Sequence, residues 1–265
     1  MTPFRTAGGP FAPLHAELMG ASAALPVFDP SAHAARLLSE AQRTWGERAR
    51  TEFRSIQIMA RFLTEVVGAG DPIDVYAGAV ELVADEVRHT ALCLALLGAL
   101  GGQTGLPEPV RLQDPERFLR SGMPERALAT AISMVLINER ISVAFISDLA
   151  ARCETPAVKH VLDATLADED GHGDFGRAYV EKSLARFPIS SLPAWRHLVT
   201  QTLLPHRRSA EAALADVPEA SRRLDAWPEP ERAALGLFSP QRQALVFRAA
   251  EAALLDDLAA LGLVA

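Results

Sequence analysis

Cysteine is nearly absent. Cys93 and Cys153 are the only two in 265 residues, too few for the disulfide framework of a small secreted domain. Aromatic residues make up 6% of the chain, which leaves little of the material strands favour, while the strong helix formers Ala and Leu are abundant. Positive charge is also in short supply. The 26 Lys and Arg are outnumbered by 33 Asp and Glu, for a net charge of −7, and no Lys/Arg cluster stands out, so a nucleic-acid groove is not expected. Uninterrupted apolar runs of about 18 residues are missing, so no membrane span is expected either. The opening stretch MTPFRTAGGPFAPLHAEL is broken by Gly, Pro, His and Glu, unlike a signal peptide. These absences lead to the expectation of a soluble, cytoplasmic, all-α protein.

Apolar residues, at 49%, are plentiful enough for a sizeable core. Residues 1–30, rich in Pro, Gly and Ala, read as an irregular N-terminal arm. A long helix is predicted from near Ser31 to the stop at Gly68 and Gly70, and a second over roughly 72–100, with Asp71 as its N-cap and Pro72 in its first turn, ended by Gly101-Gly102. A looser segment with Pro107, Pro109 and Pro115 follows, with room for a short helix. The third helix is predicted over roughly 124–153 and the fourth over roughly 156–186, opened by Thr155-Pro156 and ended before Pro188. Residues 31–188 then form a four-helix bundle with a long crossover in its middle. Residues 189–265 form a C-terminal extension of three or four helices, broken at Pro205, Pro218, Pro228 and Pro240, which packs on the bundle, covers a substrate pocket or offers a homodimer surface. No strand signal stands out.

One pattern recurs. Glu86-Val87-Arg88-His89 and Glu169-Asp170-Gly171-His172 are both Glu-x-x-His, each preceded by an acid, Asp85 and Asp168. Three residues are most of a helical turn, so Glu and His leave the same side. Both pairs lie in apolar stripes, Leu82, Glu86, His89 and Cys93 in one helix and Leu162, Thr165, Glu169 and His172 in the other. A single such pair is weak and most simply a surface couple; two copies are harder to dismiss. Helices one and three each supply a lone glutamate, Glu52 and Glu139. Glu52 lies about 16 residues, roughly 24 Å, before its turn, and Glu86 about 14 residues, roughly 21 Å, after it, so they come level in an antiparallel pair. Glu139 and Glu169 come level in the same way. Glu47 competes with Glu52 but overshoots by more than a turn.

Four buried carboxylates need compensation. Two divalent cations supply it, and a donor set of oxygen and imidazole suits iron or manganese. Asp85 and Asp168 are then expected to fix the histidine tautomers through the other ring nitrogen. Arg88 either orients Asp168 or Asp85 across the bundle or forms a plain salt bridge. Cys93 reads as a small core residue more readily than as a redox group. His160, His197 and His206 receive no role.

The constellation Glu52, Glu86, His89, Glu139, Glu169 and His172 resembles that of the ferritin-like di-iron carboxylate proteins, in which two helices each give a Glu and two each give a Glu-x-x-His. The run DEVRHTALC, residues 85–93, is similar to the first metal-binding helix of the bacterial multicomponent monooxygenases, where a Cys also lies one turn beyond the histidine. Ribonucleotide reductase small subunits usually have a radical tyrosine there, so Cys93 separates this chain from them, although Tyr76 and Tyr179 occur elsewhere. The chain departs from the monooxygenases in having Gly171 in place of Arg, a further Gly173, Val143 in place of Thr, and a much shorter length. Glycines at mid-helix point to close packing or a local distortion. The extra histidine ligand of p-aminobenzoate N-oxygenase-like enzymes falls on Thr165. The resemblance implies two iron ions (manganese in their place as the alternative) and activation of dioxygen to oxidise a small organic substrate by hydroxylation, desaturation or N-oxygenation. Electrons would come from a ferredoxin or flavin reductase. The competing expectations are a ferroxidase or iron-handling protein without an organic substrate, and an inactive site holding manganese or zinc.

Overall fold

Glycine and proline end most helices where their backbone preferences require. The computed structural model describes residues 2–3, 7–112, 116–169, 171–215 and 226–264. α2, Ala35–Gly68, stops one residue before a turn in which Gly70 takes φ +70°, and α3, Ile73–Ala99, stops before Gly101 at φ +77°, conformations that favour glycine. α2 and α3 pack along their length. The long third helix is a continuous run of α5, Met123–Thr130, a π-helical stretch, Ala131–Asn138, and α6, Glu139–Arg152. The expected fourth helix is two: α7, Pro156–Glu169, and α8, His172–Leu184. The break falls at the glycine of the second Glu-x-x-His; Asp170 of that motif lies outside the described residues.

Other expectations need correcting. The N-terminal arm contains α1, Phe11–Met19, whose Pro13 sits in the first helical turn, where a missing N–H costs nothing. Asp71 does not cap α3. It is buried, accepts the Tyr179 hydroxyl at 2.7 Å and pairs with Arg186, tying the α2–α3 turn to the end of α8. A two-residue antiparallel pairing of β1, Thr2–Pro3, with β2, Gly105–Leu106, is the strand content among the described residues. The loose crossover holds the short α4, Glu116–Arg120; Pro115 lies outside the described residues. In the tail, α9, Leu192–Leu214, runs straight through Pro205. Pro205 and Gln201 are both exposed, so water can serve the carbonyl that proline leaves without a donor. Pro228 and Pro240 do stand at helix starts, before α10, Glu229–Ala234, and as the first residue of α11, Pro240–Ala260. Pro218 lies outside the described residues.

The third-helix stretch Met123–Arg152, in which an 18-residue window has a mean hydropathy of 1.5, is long and apolar enough by composition to cross a membrane, although scattered polar residues break its apolar run. Its position accounts for that composition: Leu128, Ala131, Ile132, Val135, Leu136 and Ile137 are fully buried inside the chain. The tail packs on the third helix. α11 packs against α9 and α6, and α9 packs against the π-helical stretch. At the other end, Trp45 and Arg48 of α2 donate to the carbonyls of Leu235 (3.0 Å) and Gly236 (2.8 Å).

The apolar core has two parts, one around Phe62, Leu82, Ile132 and Tyr179, the other around Trp45, Leu96, Leu149 and Val158. On α2, α3 and α7–α8 the residues of one part precede Glu52, Glu86 and Glu169, and those of the other follow them. A layer of acids and imidazoles thus lies between two apolar halves, where an uncompensated charge is expensive.

α8 reaches the third helix through glycine. A Cβ on Gly176 would stand 2.6 Å from the Val135 carbonyl oxygen, which is backbone and cannot swing aside, whereas a Cβ on Gly171 meets nothing within 4 Å. Gly171 has φ −85°, open to any residue. Gly176→Ala is therefore expected to cost about 1–3 kcal/mol by overpacking, while Gly171→Ala holds or raises stability by up to about 1 kcal/mol. Thermal unfolding of the two variants side by side checks this; equal melting temperatures would contradict the close approach.

Candidate metal centre

α2, α3, the third helix and the α7–α8 pair bring six side chains into two groups. Glu52, Glu86 and His89 form the first cluster and Glu139, Glu169 and His172 the second; within each, the ligand atoms lie within 4.8 Å of one another. Glu86, His89, Glu139, Glu169 and His172 are buried, and Glu52 is half-buried. The clusters face each other: the two imidazole centroids are 6.4 Å apart. Glu169 lies between them, with Oε1 3.5 Å from His89 Nδ1 and Oε2 3.0 Å from His172 Nδ1. Glu139 Oε2 is 3.9 Å from His172 Nδ1, and Glu86 Oε2 is 3.8 Å from His89 Nδ1.

The two nitrogens of each imidazole have different surroundings. His89 Nε2 lies 3.1 Å from Asp168 Oδ2, and His172 Nε2 lies 2.9 Å from Asp85 Oδ2. A carboxylate accepts only, so each Nε2 carries a proton, and in the neutral ring each Nδ1 turns its lone pair toward the glutamates. His89 Nδ1, His172 Nδ1, Glu86 Oε2 and Glu169 Oε2 are buried and make no hydrogen bond of acceptable geometry, the 3.0 Å approach of His172 to Glu169 included. Buried polar atoms in native proteins are almost always satisfied. Four such atoms converging on one place, all of them metal-ligand types, suit a cation.

The aspartates are wired across the motifs. Asp85 precedes the first Glu-x-x-His but holds the histidine of the second; Asp168 precedes the second and holds the histidine of the first. Arg88 joins them, donating to Asp168 Oδ2 at 2.8 Å and to Asp85, with a third bond to the Leu18 carbonyl at 3.2 Å. The contacts considered for Arg88, with Asp168 and with Asp85, are both present as salt bridges.

The protein alone keeps this charge in check by binding protons. Burial, then repulsion from Glu139, pushes Glu169 up to about 7. Burial likewise raises Glu86 well above the usual carboxylate range and raises Glu52. Burial by itself would depress His172, but its hydrogen bond to Asp85 and the carboxylates of Glu139 and Glu169 close beside its ring outweigh that and push it up to about 12. A divalent cation would displace those protons and take their place as the neutralising charge.

The rival glutamate is elsewhere: Glu47 is exposed and pairs with Arg50 at 2.6 Å. Cys93 is buried, and burial followed by the nearby Glu52 pushes its thiol well up, the state of an inert core thiol. Thr165 is buried on the α7 stripe and belongs to neither cluster. Arg48, overlooked in the sequence, is one turn before Glu52; its guanidinium lies 4.3 Å from the Trp45 ring centroid, and its buried Nη1 has no hydrogen-bond partner among the described residues. The four-residue spacing to Glu52 was the available signal, but a surface arginine gives the same one.

No protein-family model, no curated protein and no solved structure matches this chain.

Proposed function

We propose that the chain is a ferritin-like four-helix protein that holds two iron ions, manganese being the alternative, and uses dioxygen to oxidise a small organic substrate. Hydroxylation, desaturation and N-oxygenation are the reaction types this chemistry covers, with electrons delivered by a ferredoxin or flavin reductase. The observation that carries the reading is the pair of Glu-Glu-His clusters with both Nδ1 atoms unbonded and both Nε2 atoms held by aspartate. The donor set supports iron or manganese over a thiolate-preferring metal. The charge supports two ions, because four carboxylates balance two divalent cations.

Iron bound there would supply the electrons and the open coordination that dioxygen chemistry requires. The remaining work falls to the chain. Glu169 faces both clusters and sets their separation. Asp85, Asp168 and Arg88 keep the imidazoles in one tautomer and one orientation. The apolar layers on either side keep bulk water from the acids, which strengthens every electrostatic contact among them.

Anaerobic loading with Fe(II), followed by desalting and elemental analysis, tests this. Wild type is expected to keep about two ions per chain, and Glu86→Ala and His172→Ala to lose at least one of them. On admission of air with excess Fe(II), the loaded protein is expected to stop after oxidising its own ions unless a reductant is supplied. Continued oxidation of added Fe(II) without reductant would move the assignment to iron handling, and a wild type that keeps no metal would refute the metal reading.

A further inference from the structure

The π-helical stretch Ala131–Asn138 runs directly into Glu139. The Glu139 N–H is shared between the Leu136 and Met134 carbonyls, three and five residues back. Such a wide turn is intrinsically poorer than an α turn and persists where its surroundings enforce it. Gly176 of α8 presses on the backbone at Val135 and Leu136. The second support comes from the C-terminal extension. His206 of α9 lies with Nε2 3.0 Å from Asn138 Oδ1, and Asn138 Nδ2 donates to the Ser133 carbonyl at 2.6 Å, again five residues back.

The chemistry allows one arrangement of this chain. The Ser133 carbonyl accepts only, so the amide nitrogen must face it and Oδ1 must face His206, whose Nε2 then carries the proton. The imidazole is itself fixed: it stacks on Phe247 of α11 with centroids 5.6 Å apart, and the adjacent Arg207 pairs with Glu251 of the same helix. Burial pushes the His206 pKa down, against the pull of Glu251, which favours the neutral donor.

A slip of this stretch into α geometry would change where Glu139 points. Leu128, Ile132 and Leu136 are fully buried and anchor the start of the helix. Taking up one residue would rotate the remainder of the helix by about 100°, carrying the Glu139 carboxylate away from Glu169 and His172. No such device exists on the other side, where Glu52 stands in the uninterrupted α-helix α2.

We propose that His206, acting through Asn138, holds the π register that aims Glu139 into the second cluster, so that the C-terminal helices set the affinity of that cluster for its ion. His206 and Asn138 are positioning residues. The inference rests on the metal reading above and makes the two clusters inequivalent.

The test is a Fe(II) titration of the full chain under argon, followed by calorimetry and elemental analysis. His206→Ala and Asn138→Ala are expected to bind one ion as wild type does and the second about 10- to 100-fold more weakly. His206→Gln, whose amide can donate to Asn138 Oδ1, is expected to restore the second ion. Equal weakening of both ions would mean that α9 only supports the bundle, and unchanged affinity for both would mean that Glu139 is aimed without it. Either result overturns the proposal. If His206→Ala does not fold, Asn138→Asp serves in its place, keeping the acceptor for His206 while losing the donor to Ser133. A wild type that binds no ion defeats the metal reading and this inference together, and is recognised without any variant.

Discussion

Replacing Glu169 with alanine is expected to remove both metal ions. Its two carboxylate oxygens point at opposite histidines, Oε1 at His89 Nδ1 (3.5 Å) and Oε2 at His172 Nδ1 (3.0 Å), so on the proposed reading it serves the ion of each cluster. Glu52 and Glu139 each belong to one cluster. Glu52→Ala and Glu139→Ala are therefore expected to keep about one ion each, on the proposed stoichiometry of two. Charge works in the same direction, since three carboxylates no longer balance two divalent cations. The metal-free protein should respond oppositely. Burial and Glu139 raise Glu169 to about 7, so ionising it in the folded state costs more than in the unfolded chain, and its removal relieves that cost. Metal-free Glu169→Ala should accordingly melt above metal-free wild type at pH 8, while the gain in melting temperature on adding Fe(II) disappears. Elemental analysis after anaerobic loading decides the point, and retention of one ion would show that Glu169 serves a single cluster.

The second large effect concerns the crossed aspartates. Asp85→Ala leaves His172 Nε2 without its acceptor and should weaken the second cluster; Asp168→Ala does the same to His89 and the first. Loss of such an outer partner costs about 10- to 100-fold in metal affinity. The crossing is measurable in a protein with one cluster left. In a Glu139→Ala background, where the Glu52–Glu86–His89 ion remains, Asp168→Ala should weaken that ion about tenfold or more while Asp85→Ala changes it by less than about threefold. The opposite ranking would place each aspartate on the histidine of its own motif. Arg88 sharpens the comparison, because it contacts both acids and its truncation to Met should weaken both ions together.

Much of the helical architecture was legible because its signals are local. Gly70 and Gly101 end helices through a backbone freedom that needs no tertiary partner, and Pro72 and Pro156 open them for the same kind of reason. The six acids and imidazoles could be matched by counting, since helical rise converts residue number into height and a short turn folds one helix back beside another. Glu47 was set aside by height alone, and its exposed pairing with Arg50 agrees. The features that could not be read depended on neighbours distant in sequence. Asp71 looked like a cap, yet Tyr179 and Arg186 recruit it. Pro205 looked like a break, yet its exposed position lets water serve the freed carbonyl.

The amino-acid sequence by itself determined the all-helical architecture, the identity of the six clustered residues and their common level, because periodicity, helix ends and rise are properties of the chain near each residue. The tertiary structure decided how those residues are held. It put Asp85 on the histidine of the other motif, set Glu169 between the clusters and brought His206 against Asn138 from the far end of the chain. It also opened the third helix into a π turn before Glu139. Each of these depends on contacts between segments far apart in sequence, and such contacts follow from helix orientation and close packing, which no local pattern encodes.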